Sequence, residues 1–159
     1  MNESDGYTLN KDASDTSYIQ HLLNSCLYFT SSTLFRIITR MAEEEFGVVG
    51  LSPSHSFLLL VANEHPGISQ KQAAHILNLS PSTVSRFVDT LVSREFMEKR
   101  EQGRLVLLFP TKRGGILCAD IRRAWASLYK RYTDILGVEI GNDLTRMIDG
   151  ANKKLTGGI

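Results

Sequence analysis

The chain has 159 residues, of which 42% are hydrophobic and 22% charged, with a formal net charge of +1 at pH 7. These are ordinary globular values, and the length suffices for one domain, with or without a small appendage, and for a real core. The longest apolar run, residues 57–62, is far shorter than the roughly 20 residues needed to cross a bilayer, which excludes a membrane helix and predicts a soluble, cytoplasmic protein.

Catalytic and metal-binding signatures are missing from the sequence. There is no phosphate-cradling Gly-rich loop, no G-x-S-x-G and no H-E-x-x-H motif. Cys26 and Cys118 lie far apart without a C-x-x-C pair, which argues against a disulfide scaffold and a zinc ribbon. The four histidines are scattered without metal-ligand spacing, so we expect no enzyme, no cofactor and no metal.

Positive charge is concentrated in one segment. Residues 69–131 contain 12 Lys or Arg against 5 Asp or Glu, a net +7, whereas the remainder of the chain is at −6. A local excess of cations is what a surface that binds a polyanion requires.

In chain order, the sequence begins with an acidic and polar stretch, residues 1–16, which we expect to be a flexible tail. Residues 17–47 carry apolar side chains with the 3.6-residue period of one long amphipathic helix. Ser52 and Pro53 are placed as the N-cap and the first residue of the next helix, which residues 65–67 should end.

Two short helices joined by a tight turn are predicted next. Ser69 and Gln72 have the spacing of a capping box, in which each residue's side chain satisfies a free backbone N–H group of the other. Asn78, which tolerates the left-handed conformation, should close this helix, and Ser80-Pro81 starts another only two residues later. Such a pair of helices is a helix-turn-helix.

The second helix of this motif has two different faces. Its apolar stripe repeats at i, i+3, i+4, i+7 and i+8 and consists of Val84, Phe87, Val88, Leu91 and Val92. Its opposite face consists of Ser82, Thr83, Ser85, Arg86, Asp89 and Thr90. The core takes the first face, and the second is left for a partner.

A hairpin is predicted directly after the helix-turn-helix. Residues 96–101 and 104–109 are expected to be strands around a tight turn at Gln102-Gly103, where glycine supplies the positive φ. A hairpin in this place is a wing, so residues 52–110 are expected to form a winged helix-turn-helix that binds DNA.

Residues 111–159 are expected to form the C-terminal helices. Thr111 is placed to cap the first of them, and Gly141 is expected to break it, with a last helix over residues 142–154. The first helix carries two apolar stripes that a single chain has too few elements to cover, so we expect residues 17–47 and 111–159 to dimerise with a second copy. The predicted fold class is mainly α with a small β-wing, a winged helix-turn-helix flanked by long N- and C-terminal dimerisation helices.

The exposed face of the second helix has the chemistry that reads DNA. Hydroxyl groups donate or accept hydrogen bonds, a threonine methyl can meet a thymine methyl, and arginine can bind guanine O6 and N7 together. Residues 82–86 lie in the amino-terminal half of the helix, which is the half that a recognition helix inserts into the major groove. A merely solvated face is the alternative for this helix alone; the capped preceding helix, the wing and the local +7 favour double-stranded DNA as the partner.

A resemblance to the MarR (multiple antibiotic resistance regulator) transcription factors is carried by GISQKQAAHILNLSPSTVSRFVDTLVSREFMEKR, the wing and TKRGG. The likeness runs from about Tyr18 to Leu155 and includes the earlier GLSPSH. It implies a homodimer whose two winged helices read a pseudo-palindromic operator. It also implies regulation, usually repression, that a small phenolic or lipophilic anion or an oxidant relieves.

The expected DNA contacts follow from the resemblance and from the residues themselves. The residues carried over by position are Gln70, Lys71, Ser82, Thr83, Ser85, Arg86 and Arg104. Two more are expected to contact the DNA backbone: Ser80, at a helix start whose free N–H groups face phosphates, and Lys99, through its side chain. Family wings usually hold an Asp-Arg pair in a longer loop, whereas this wing has only Glu101-Gln102-Gly103-Arg104. We therefore expect the wing arginine to read the minor groove more weakly or less selectively.

The signal to such a regulator has several candidates. Cys26 lies roughly where family members that sense organic hydroperoxides keep their reactive cysteine, and a buried core cysteine is the alternative. A metal-responsive regulator using His55, Glu64 and His65 is a weaker alternative without ligand spacing. For an effector pocket, the aromatic and cationic candidates are Tyr28, Phe35, Arg36 and Arg40.

Two other functions compete with a regulator. A winged helix can serve as a protein-interaction module, an antirepressor or assembly partner without its own operator, because fold alone does not settle function. An architectural protein that binds DNA without sequence preference is disfavoured by the near-neutral net charge and by a recognition helix rich in hydroxyls rather than lysines.

Overall fold

The computed structural model describes residues 16–157. The tail predicted for residues 1–16 lies outside them, except for Thr16. The chain divides into two compact units, one ending at Arg40 and one beginning at Met41. No single described helix is long and apolar enough to span a membrane, although the bent pair Leu27–Val49 and Pro53–Glu64 passes the same test by length and composition.

The elements of the described residues are α1 (Thr16–Ser25), α2 (Leu27–Phe46), a 3-10 turn (Gly47–Val49), α3 (Pro53–Glu64), β1 (Ile68–Ser69), α4 (Gln70–Leu77), α5 (Pro81–Ser93), β2 (Met97–Gln102), β3 (Leu105–Pro110), α6 (Lys112–Leu136) and α7 (Val138–Thr156). The predicted class, mainly α with a small β-wing, is confirmed. Helices α4 and α5 are the helix-turn-helix, and β2 and β3 are the wing.

The single helix predicted before residue 47 is interrupted at Cys26. There the chain tightens, because the Cys26 N–H bonds the Leu23 carbonyl at 3.2 Å. Hydroxyl groups surround the break: Ser25 Oγ donates to the His21 carbonyl at 2.6 Å and Thr30 Oγ1 to the Cys26 carbonyl at 2.9 Å. Side chains that bond carbonyls one turn back compete with the helix ladder and bend it, a local effect that the apolar period does not reveal.

The predicted helix starts around the helix-turn-helix are confirmed. Ser52, Ser69 and Ser80 are N-caps with extended backbone, and Ser69 and Gln72 form the complete capping box. Asn78 closes α4 in the left-handed conformation, with φ of 51°. These features are predictable because each depends on residues at most three positions apart.

The core of the second unit joins the end of α2, helices α3, α4 and α5, the sheet and α6. Its fully buried large side chains include Leu58, Leu59, Val84, Val88, Leu91, Met97, Leu108, Cys118 and Ile121. Phe87 and Val92 pack against it while partly exposed. The predicted apolar stripe of α5 is therefore the face that the core uses.

The sheet is antiparallel with strand order β1-β3-β2. In the wing, Gln102 pairs with Leu105, so the turn is Gly103-Arg104, one residue later than predicted. Gly103 has φ of 63°, and glycine at the first central position is what a type II′ turn requires. Strand β1 was not predicted, because two residues are too few to show a strand period.

The prediction that Gly141 breaks the last long helix is wrong. The break lies at Gly137, which has φ of 85°, and Gly141 is buried inside α7. A Cβ on Gly141 would lie 3.1 Å from Thr133 Cγ2 on α6. The glycine permits close packing of α6 and α7.

Thr111 caps α6 as predicted, with its hydroxyl oxygen accepting the Gly114 N–H at 3.0 Å.

Candidate nucleic-acid interface

Four hydroxyl side chains lie at the start of α5 and are called here the hydroxyl row: Ser80 at the N-cap, and Ser82, Thr83 and Ser85 in the first half of the helix. Ser80 is used by the helix itself: its Oγ accepts the Thr83 N–H at 3.1 Å and lies 3.0 Å from Ser82 Oγ and 2.8 Å from Thr83 Oγ1. Ser82 is exposed, and Thr83 and Ser85 are half-buried. The cap thus orders the Ser82 and Thr83 hydroxyls at the helix end that carries the positive dipole.

Arg86 follows the hydroxyl row and is exposed. Within residues 16–157, no carboxylate lies at ion-pair distance from its guanidinium. Asp89, three residues further on, pairs instead with Lys99 at 2.8 Å. The fixed fork of guanidinium donors is therefore available to a partner.

The first turn of α4, the first helix of the helix-turn-helix, is held by the capping box of Ser69 and Gln72. Gln72 Oε1 accepts the Ser69 backbone N–H at 3.1 Å and its hydroxyl at 2.7 Å, while Ser69 Oγ accepts the Gln72 N–H at 3.2 Å. Gln70 is half-buried and Lys71 is exposed in this first turn. A helix start with an exposed lysine attracts phosphate through both the free N–H groups and the charge.

The wing tip holds Arg104, the second residue of the turn, which is exposed. Arg100, four residues earlier on β2, lies over the Phe109 ring at 4.3 Å from its centroid and pairs with Glu98 at 3.2 Å. Arg100 is thereby engaged within the wing. The two-residue turn agrees with a short wing.

Ion pairs neutralise much of the charge of residues 69–131. The cations of this segment that pair with carboxylates are Lys99, Arg100, Arg113, Arg122, Arg123, Lys130 and Arg131. Five cations of this segment have no carboxylate partner among the described residues: Lys71, Arg86, Arg94, Arg104 and Lys112. Of these, Arg94 donates to the Gly50 carbonyl instead. The net +7 therefore overstates the charge that is free to meet phosphate.

The end of α5 is fixed by residues that sequence reasoning missed. Arg94 Nη1 donates to the Gly50 carbonyl at 2.6 Å, and its guanidinium lies 5.3 Å from the Phe96 ring centroid. Arg113 lies 4.8 Å from the same centroid. Gly50 and Arg113 are distant in the sequence from Arg94 and Phe96, so no local pattern predicts these contacts.

His55 connects α3 to the core side of α5. Its ring centroid lies 4.3 Å from that of Phe87, its Nδ1 lies 2.6 Å from Ser52 Oγ, and its Nε2 is buried without a hydrogen-bond partner among the described residues. Burial, and secondarily the charge of Arg94, lowers the pKa of His55. The neutral His55 ring therefore packs beneath α5.

Within the described residues, no group of three or more His, Cys, Asp or Glu side chains could hold a metal ion.

The two cysteines lie in different surroundings. Cys26 is exposed, at the interruption between α1 and α2, where a buried position was the alternative interpretation. Cys118 is fully buried in α6, and burial raises the pKa of its thiol. A raised pKa leaves little of the nucleophilic thiolate, so Cys118 is the core cysteine.

Two cavities of the second unit adjoin the helix-turn-helix. One, of about 690 Å³, is lined by residues 65–68 together with Lys71, Gln72, His75 and Ile76. The other, of about 340 Å³, is lined mainly by apolar side chains, including Phe57, Leu60, Val61, Leu77 and Trp125, with the paired Glu64 and Arg122 beside them. The predicted effector candidates Tyr28, Phe35, Arg36 and Arg40 all belong to the first unit.

Comparison with known proteins gives one family match. The model of the MarR family matches residues 51–102, from the residue before the Ser52 cap to the end of β2. No curated protein sequence matches the chain.

Several solved structures are similar in fold. CouR from Rhodococcus jostii RHA1 bound to p-coumaroyl-CoA is 21% identical with a TM-score of 0.69, over 82% of this chain and 92% of that one. The repressor CouR bound to a 23-mer DNA duplex is 20% identical with a TM-score of 0.75, over 82% and 94%. A MarR-family regulator from Rhodococcus sp. RHA1 is 22% identical with a TM-score of 0.68, over 80% and 95%.

The match covers the helix-turn-helix and the first strand of the wing, and the structural likeness covers about four-fifths of the chain. Residues 51–102 therefore match the MarR family, and the fold of the chain is similar to that of solved MarR-family regulators.

Proposed function

We propose that this chain is a sequence-specific DNA-binding transcriptional regulator that inserts α5 into the major groove. One observation carries the proposal: Val84, Val88 and Leu91 are fully buried, whereas the hydroxyl row and an unpaired Arg86 lie outside this stripe, in the first half of the helix. The amino-terminal residues of a recognition helix are those that contact base edges.

Each proposed contact has a distinct role. Arg86 donates two hydrogen bonds to guanine, one to O6 and one to N7. The Ser82 and Thr83 hydroxyls bond donors or acceptors on base edges, and the Thr83 methyl group contacts a thymine methyl. Lys71 contacts a phosphate and so fixes the register of the helix on the duplex. Arg104 enters the minor groove from the short wing and adds less selectivity than a longer, acid-braced loop would.

The proposed assembly is a homodimer. The α6 and α7 helices expose large apolar side chains, among them Trp125, Ile135, Val138, Ile140, Met147 and Leu155. Exposed apolar surface of this extent favours a protein partner, and a second copy offers the matching surface by symmetry. Two winged helices related by a two-fold axis would read a pseudo-palindromic operator.

The proposed regulation is repression relieved by a signal. CouR, which is similar in fold, is described as a repressor, in one structure with a DNA duplex and in another with p-coumaroyl-CoA. For this chain we expect a small phenolic or lipophilic anion, and the cavity of about 340 Å³ beside Arg122 has a suitable size and an apolar lining. Exposed Cys26 is the candidate if the signal is an oxidant.

Replacing Arg86 tests the proposed function. On a duplex recovered by selection from random sequences, Arg86→Ala should lose about 1 to 3 kcal/mol of binding free energy and relax selectivity at one base position. Arg123→Ala is the matched control, since Arg123 is an exposed arginine on α6 outside the proposed interface. Anisotropy titrations that show unchanged selectivity for Arg86→Ala would favour the protein-interaction module instead.

The wing is tested in the same assay. Arg104→Ala should weaken binding clearly less than Arg86→Ala, because a two-residue turn without an orienting acid holds the arginine poorly in the minor groove. A loss as large as that of Arg86→Ala would show that the short wing reads DNA fully.

A further inference from the structure

Asp89 and Lys99 form an ion pair between the recognition helix and the wing. Asp89 lies on α5 and Lys99 on β2, with the lysine Nζ 2.8 Å from the carboxylate Oδ1. The two side chains are 60% and 48% exposed, respectively. The pair therefore lies at the surface, on the same winged helix as the proposed DNA contacts.

Asp89 shares a face of α5 with Arg86. It follows Arg86 by three residues, and residues i and i+3 are neighbours on a helix surface. Val88 and Leu91, close to it in sequence, are the ones that face the core. With α5 in the major groove, the carboxylate lies near a duplex that carries one negative charge about every 1.7 Å along its axis. Like charges brought together disfavour binding.

Strand geometry places Lys99 on the α5 side of β2. Alternate residues of a strand share a face, and Met97, two residues before Lys99, is buried in the core that α5 also lines. Glu101, two residues after Lys99, belongs to the same face. The hydrogen bond from Lys99 to Asp89 is the main cause that raises the pKa of Lys99, so the ammonium group stays charged at neutral pH.

We propose that Lys99 acts on DNA binding through Asp89, neutralising a carboxylate on the DNA-facing side of the recognition helix instead of contacting a phosphate itself. This inference rests on the proposed function. It makes Asp89 and Lys99 positioning residues, whose pairing gives Arg86 a neutral rather than an anionic neighbour. A lysine bonded to an internal carboxylate has its charge already compensated, and it has less to offer a phosphate.

The two roles of Lys99 differ in what removal of Asp89 does. If Lys99 contacts a phosphate, a protein without Lys99 has lost that contact whether or not Asp89 is present. If Lys99 masks Asp89, a protein without Lys99 is weakened only because the carboxylate is exposed to the duplex. Removing the carboxylate as well then restores binding.

The experiment measures binding of the full chain to its selected duplex at near-physiological salt. The variants are Lys99→Met, which keeps the alkyl stem and removes the charge, and the double variant Lys99→Met with Asp89→Asn. The matched control is Lys99→Met with Glu101→Gln, which removes one negative charge from the same face of β2. Thermal unfolding of each variant should stay within about 3 °C of the wild type, because exposed ion pairs contribute little stability.

Lys99→Met should weaken binding about tenfold, as expected for one uncompensated charge near the phosphates. The double variant with Asp89→Asn should return to within about threefold of the wild type, and the control should stay as weak as Lys99→Met. The inference is overturned if Lys99→Met binds like the wild type, if both double variants stay weak, or if both recover equally. A wild-type protein that selects no duplex would instead reject the proposed function.

Discussion

Gly114 and Gly115 are neighbours in α6 with different surroundings. A Cβ on Gly114 would lie 2.0 Å from the Phe96 carbonyl oxygen, whereas one on Gly115 would meet Asn63 Oδ1 at 3.5 Å, an ordinary contact. The Phe96 carbonyl also accepts the Thr111 N–H at 3.1 Å, which holds this backbone in place. Gly114 is thus where α6 lies directly on the chain that enters the wing.

These neighbours give a prediction of opposite sign for the same substitution. Gly114→Ala should lower the free energy of unfolding by more than about 3 kcal/mol, because backbone must move to admit the methyl group. Gly115→Ala should raise it by about 0.5 to 1 kcal/mol through better helix propensity. Urea unfolding measures both. Equal effects would show that the contact at Phe96 is not tight.

Between elements, His55 makes the packing of α3 on α5 sensitive to pH. Its folded-state pKa is lowered by burial and by Arg94, while the unfolded chain keeps the ordinary value near 6.5. Above that ordinary value both states are neutral and stability is unaffected. As pH falls from the ordinary value to the lowered one, the unfolded chain binds a proton that the folded protein does not, and stability falls.

The lowered pKa of His55 predicts how steeply the free energy of unfolding changes with pH. Between pH 7 and pH 5 the wild type should lose stability more steeply than His55→Gln, which lacks the titrating group. His75→Gln is the control, because His75 is an exposed side chain of α4. Urea unfolding across this pH range measures the difference. Parallel curves for wild type and His55→Gln would mean that the ring titrates alike in both states.

Elements defined by neighbouring residues were predictable from the sequence. The caps at Ser52, Ser69 and Ser80 depend on contacts within one helical turn, and the apolar stripe of α5 depends on spacing alone. Strand β1 exists because Ile68 pairs with Leu108, forty residues away, and no local pattern encodes that pairing. The break predicted at Gly141 is wrong because glycine serves both at helix ends and where two helices pack closely, and spacing alone does not distinguish these roles.

The side chains on the exposed face of α5 were predictable from the sequence, but the ion pairs that compensate charges around them were not. The hydroxyl row and Arg86 lie outside the buried stripe of α5, as their spacing predicts. The partner of Lys99 was not predictable, because strand β2 reaches Asp89 only through the tertiary packing of the wing on α5. A sum of charges along the sequence therefore counts Lys99 as free when the fold pairs it.

In the chain as a whole, the proposed regulator depends on two surfaces. One is the winged helix, with cations lacking a described carboxylate partner at the start of α4, on α5 and at the wing tip. The other is the apolar surface of α6 and α7, which includes Trp125, Ile140 and Met147. A regulator needs both, because a single winged helix contacts too few base pairs to select one operator, whereas a dimer doubles the contacts.

Binding of a symmetric operator by a dimer is tested by selection from a pool of random duplexes at near-physiological salt, followed by sequencing of the bound fraction. We expect enrichment of a two-fold symmetric motif with half-sites about one helical turn apart. A folded protein that enriches no motif, or enriches a single unpaired half-site, would contradict it.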